Sequence, residues 1–66
     1  MDVRHPEIVV KLLGKDGNAF AILSAVCRAL RRAGLDRAEI DLFRNDAMSG
    51  DYNHLLQVVQ AWVTVI

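Results

Sequence analysis

One cysteine, one proline, four glycines and an aromatic share of 6% limit this 66-residue chain before any motif is sought. The lone thiol, Cys27, closes no internal disulfide, and with two histidines far from it in the chain it falls short of a structural zinc site. Neither a metal nor another cofactor is expected to staple the fold. Eight Lys and Arg cancel eight Asp and Glu. That balance excludes a uniformly basic nucleic-acid coat and an acidic tail. No apolar run approaches the roughly 18 to 20 residues of a membrane span, and Met1 to Pro6 lack the apolar stretch of a signal peptide. No membrane association is expected, and a reducing cytoplasm is the expected compartment. The scarcity of Gly and Pro likewise excludes collagen-like repeats and low-complexity tails.

What the chain has in quantity is apolar side chain, at 53%. Ordering 66 residues costs on the order of 100 kcal/mol of conformational entropy, at roughly 1.5 kcal/mol per residue, so dense burial is required. The length allows one domain, residues 1 to 66, with 1 to 6 expected to be a loose N-terminus.

Ile8-Val9-Val10-Lys11-Leu12-Leu13 is rich in β-branched residues and reads as a strand, closed by the turn signal Gly14-Lys15-Asp16-Gly17. Ile8, Val10 and Leu12 share one face; Val9, Lys11 and Leu13 share the other. Asn18 then stands as the N-cap of a helix over Ala19 to Ala33. At 100° per residue, Ile22, Leu23, Val26 and Leu30 gather on its apolar side, opposite Ser24, Arg28, Arg31 and Arg32. Gly34 suits the left-handed position after that helix, and Leu30 and Leu35 supply the apolar pair of a Schellman stop.

Asp36-Arg37-Ala38-Glu39 reads as a capping box, with Glu39 reaching back to the amide of Asp36. Leu35 and Ile40 match the hydrophobic staple, so one leucine serves both helix ends at a tight corner. Ile40, Phe43 and Ala47 form the inward stripe of the second helix, flanked by Leu42 or Met48, until Ser49-Gly50 breaks it. Asp51 caps a third helix whose Tyr52, Leu55, Val58, Val59 and Trp62 recur at helical spacing. Val63-Thr64-Val65-Ile66 is β-branched text, poor helix and good strand. The expected fold is therefore α+β, ordered strand, helix, helix, helix, strand, with the helices on one face of a small sheet containing both strands.

Four blocks, Gly17-Asn18-Ala19-Phe20-Ala21-Ile22-Leu23, Ala29-Leu30-Arg31-Arg32-Ala33-Gly34, Ser49-Gly50-Asp51-Tyr52-Asn53-His54-Leu55-Leu56 and Trp62-Val63-x-Val65, carry a resemblance. In this order they resemble a group of short bacterial, plasmid and phage proteins. The resemblance implies a bacterial or mobile-element origin and brings no activity, ligand or catalytic residue with it.

Three places invite a chemical reading. Ser49 to His54 holds a hydroxyl, a carboxylate, a phenol and an imidazole within six positions, but Asp51 and His54 fall at N-cap and N3, where capping free amides is the simpler task. A nucleophile and its base must converge on one cleft from positions that hold them apart from such duties. Gly14-Lys15-Asp16-Gly17-Asn18 lies between strand and helix, yet Lys15 comes before the second glycine instead of following a Gly-x-x-x-x-Gly frame, so an ordinary five-residue turn is expected. Arg28, Arg31 and Arg32 make a basic edge able to meet nucleic-acid phosphates, although a helix C-terminus also suits them electrostatically. Through Ala33 the chain holds six basic and three acidic residues; from Gly34 it holds two and five. Cys27 borders the apolar face without a neighbouring histidine and is expected to be an inert thiol.

No constellation meets a catalytic specification. The expected function is a small non-enzymatic interaction or regulatory module that forms a homodimer, because a two-stranded sheet leaves apolar edges that invite pairing. The alternatives are a nucleic-acid-binding accessory protein using Arg28, Arg31 and Arg32, and an enzyme with its site in Ser49 to His54.

Overall fold

The computed structural model describes residues 3–12 and 18–66, so the expected turn at Gly14 to Gly17 and the strand position of Leu13 lie outside the described residues. The order is β1 (His5–Val10), α1 (Ala19–Arg32), α2 (Arg37–Ala47), α3 (Tyr52–Trp62) and β2 (Val63–Val65). β1 and β2 pair in parallel as a two-stranded sheet, and the three helices form the crossover that a parallel pair requires. This is the α+β arrangement expected.

Every helix starts where a side chain relieves its free amides. Asn18 accepts from the Ala21 amide at 3.0 Å, Asp36 from Glu39 at 2.9 Å and Asp51 from His54 at 2.9 Å. The stop of α1 is a complete Schellman motif. The Leu35 amide donates to Leu30 O at 3.2 Å and the Gly34 amide to Arg31 O at 3.0 Å, with Gly34 at φ 93°.

Ile22, Val26, Leu30, Phe43, Val59 and Val63 are the most deeply buried side chains. Around them close Ile8, Val10, Leu12, Leu23, Ile40, Leu55 and Trp62, each expected to face inward from its spacing. Leu35 is only partly buried, because it covers the corner from outside as a staple does. Trp62 meets Phe43 edge-on at 5.4 Å between centroids, a favourable quadrupole arrangement. No described helix is long and apolar enough to cross a membrane.

Two expectations about the strands are corrected. β1 runs from His5 to Val10, starting before the expected Ile8 and ending before Lys11 and Leu12, and Arg4 donates its amide to Ala61 O at 2.9 Å. Residues 4 to 6 of the segment expected to be loose are thus held against the chain's other end. The pairing is irregular: His5 faces Val63 while Val9 already faces Thr64. Pro6 lies in this bulge, a place where its missing amide costs no ladder bond, and the Thr64 hydroxyl donates to Pro6 O at 2.8 Å.

Candidate functional site

Ser49 to His54 forms a tight hydrogen-bonded knot, and the knot is a helix end. The Ser49 hydroxyl donates to Asp46 O at 2.7 Å, and His54 Nε2 lies 2.9 Å from that same carbonyl and 3.1 Å from Ser49 Oγ. A carbonyl only accepts, so Nε2 carries its proton there and points it into Asp46 O. A general base for Ser49 would need Nε2 bare and the hydroxyl proton aimed at it. Both protons instead go to a single carbonyl in the last turn of α2, Asp46 O, which also accepts the Ser49 amide at 3.2 Å. Asp46 Oδ1, 3.4 Å from Nε2, adds an ionic contact when the imidazole is charged. Gly50 makes the knot possible, since a Cβ there would lie 2.8 Å from both Cβ and Cγ of His54.

A second cluster was not legible as one. Glu39 does not reach back to Asp36 as a capping box would. Its carboxylate accepts from Arg4 Nε at 2.8 Å, from Arg4 Nη2 at 3.2 Å and from His5 Nε2 at 3.2 Å. The bidentate Arg4 contact and the His5 bond hold the Glu39 carboxyl below its ordinary value. The Arg4 guanidinium also stands 4.5 Å over the Trp62 ring, a cation–π contact. Arg4 and His5 thereby tie the chain's beginning to α2 and to the end of α3.

The basic edge of α1 divides. Arg31 lines an open cleft of about 570 Å³ between α1 and α2, together with Arg37, Arg44, Asp41, Cys27 and Leu35. Arg28 stands in the adjoining hollow beside Phe20, Ser24, Met48 and again Cys27, Arg31 and Arg44. Arg32 turns the other way, toward Val9 and Lys11 of the sheet, where Arg28 also reaches. Arg28 thus stands between Arg31 and Arg32, which line different hollows. Arg37 and Arg44 were missed, although their spacing with Asp41, at i, i+4 and i+7, marks one face of α2. Cys27 sits between the two helices, half-buried; burial pushes its thiol up, against the pull of Arg44 and Arg31. That thiol is a poor nucleophile at neutral pH.

The sheet has one covered face and one bare face. Ile8, Val10, Leu12 and Val63 are buried under the helices, whereas Val9 is 54% exposed and Ile66 69%. Lys11 is exposed on the same outer side. The Leu12 amide donates to Ile66 O and the Ile66 amide to Val10 O, so Val10 and Leu12 turn their backbone groups toward β2. Alternation then turns those of Val9 and Lys11 to the open edge. No protein family, curated protein or solved structure matches this chain.

Proposed function

We propose that this protein is a small non-enzymatic interaction module that works as a homodimer in the cytoplasm, joined through its sheet. The observation that carries this reading is the two-stranded parallel sheet, in which β1 pairs with β2 along one edge and turns its other edge outward. Two strands alone make a weak sheet in water, and an unpaired strand edge invites a further strand. A second copy across a two-fold axis pairs β1 with its symmetry mate, giving strand order β2, β1, β1, β2 and satisfying the outward amides at Val9 and Lys11. Shared burial also relieves the thin core of a 66-residue chain. The knot at Ser49 and His54 supports the non-enzymatic part, since its protons cap α2.

Light scattering coupled to size exclusion at tens of micromolar tests it. The expected mass is twice the 7.4 kDa of the chain. Val9→Pro removes an amide that faces the open edge, and Val9→Lys places a second charge beside Lys11; both are expected to elute as monomers with unchanged helical circular dichroism. A wild-type mass near that of one chain at every concentration, or dimers that persist in both folded variants, ends this reading.

A further inference from the structure

On the side of the molecule that the sheet does not use, the furrow between α1 and α2 gathers positive charge in excess of the Asp41 carboxylate that also lines it. Arg31, Arg37 and Arg44 come from two helices to one cleft, and Arg28 lines its continuation. Among the described residues none of these guanidiniums has a carboxylate within ion-pair distance, even though Asp41 lines the same cleft; the ion pairs of the fold are made by Arg4, His5 and His54. Gathering unpaired like charges costs the free protein electrostatic energy, which a bound anion returns. Guanidinium is also the side chain best matched to phosphate oxygens, through its planar fork of donors.

The furrow does not end in charge. Past Arg28 it reaches Phe20, 76% exposed, and Met48, 56% exposed, which continue into a nearly apolar hollow over Leu23, Tyr52 and Leu55. An aromatic ring left this open on a helix that buries Ile22 and Leu23 is unexplained by the core. We infer that the α1/α2 furrow binds a single strand of nucleic acid, phosphates on Arg31, Arg37 and Arg44 and a base stacked on Phe20. A basic groove that tracks a backbone, joined to an aromatic platform, is the physical form of single-strand recognition. A duplex fits less well, because the guanidiniums line a concavity between helices instead of a protruding helix that could enter a groove.

Fluorescence anisotropy with a labelled twelve-residue oligothymidylate and oligouridylate tests the inference. Three phosphate contacts on a single strand predict roughly a twentyfold loss of affinity between 50 and 200 mM salt. Arg31→Gln with Arg44→Gln should weaken binding at least about tenfold and flatten that salt dependence. Phe20→Ala should weaken it by about tenfold while leaving the salt dependence unchanged. Arg32→Gln, on the sheet side, should change little. Amide shift perturbations in the unmodified protein should map to α1 and α2 and spare Val63 to Val65, which needs no variant to fold. The inference is overturned by absent binding at 50 mM salt with tens of micromolar protein, by equal affinity for a duplex or a polyglutamate of the same length, or by an Arg32→Gln loss as large as that of the double variant.

Discussion

Glu39 illustrates how one side chain can be taken from its local task by a distant one. Its reach back to Asp36 would have closed a capping box, but Arg4, 35 positions away, offers a bidentate charge-assisted contact that a single amide cannot equal. The folded carboxyl titrates below its ordinary value, so the unfolded chain binds more protons and stability rises with pH in that range. The contribution is complete above the ordinary carboxylate range and is lost as pH falls through the folded value. Glu39→Gln should therefore lower the melting midpoint at pH 7, and the gap from wild type should narrow as pH is taken below about 4, as thermal melts across pH will report. A second prediction concerns Gly50. Alanine there meets His54 at its Cβ and Cγ, close to the backbone, so the ring must leave Asp46 O. Gly50→Ala should cost about 1 to 3 kcal/mol, read as a lower urea midpoint with unchanged slope.

Among elements, the helices were readable almost to the residue, and for a reason that stays local. Asn18, Asp36 and Asp51 each cap through an amide three positions on, and Gly34 ends α1 through bonds that span at most five. Asp36→Ala should accordingly cost about 0.5 to 2 kcal/mol of stability. Gly34→Ala meets no atom within 4 Å but must hold a positive φ, so its cost is conformational, about 1 to 2 kcal/mol. In a chain of this size either loss lowers the midpoint by roughly 4 to 8 °C per kcal/mol, which calorimetry resolves. The strands were less legible. Spacing placed Ile8, Val10 and Leu12 on the buried face, yet the start of β1 at His5 depends on Arg4 meeting Ala61 and on Thr64 donating into the bulge at Pro6.

In the whole molecule, the sheet joins the two ends of the chain, and the helices between them are closed into one core by that pairing. Val63 is almost wholly buried and pairs with His5, so β2 belongs to the core as much as to the sheet. Ending the chain after Trp62 removes β2 and uncovers Ile8 and Val10, whose burial is worth roughly 1.5 to 3 kcal/mol each. The shortened chain should lose its sharp cooperative urea transition and its near-ultraviolet circular dichroism from Trp62. Retention of both would show that the helices hold the core without the sheet.

The amino-acid sequence by itself determined the three helices, their caps, the Schellman stop and nearly all of the inward side chains, because each rests on contacts within one or two turns. Zero net charge and a lone thiol also bounded the chemistry without coordinates. Only the tertiary structure decided that β1 and β2 run parallel, that Glu39 answers to Arg4 and His5, and that Arg31 shares a cleft with Arg37 and Arg44 while Arg32 faces the sheet. Periodicity tells which side of a helix is polar. It does not tell which neighbouring helix lies beside that polar side. The packing of α1 on α2 decides that, with Leu30, Ile40 and Phe43 in the core and Leu35 packed against it at the corner.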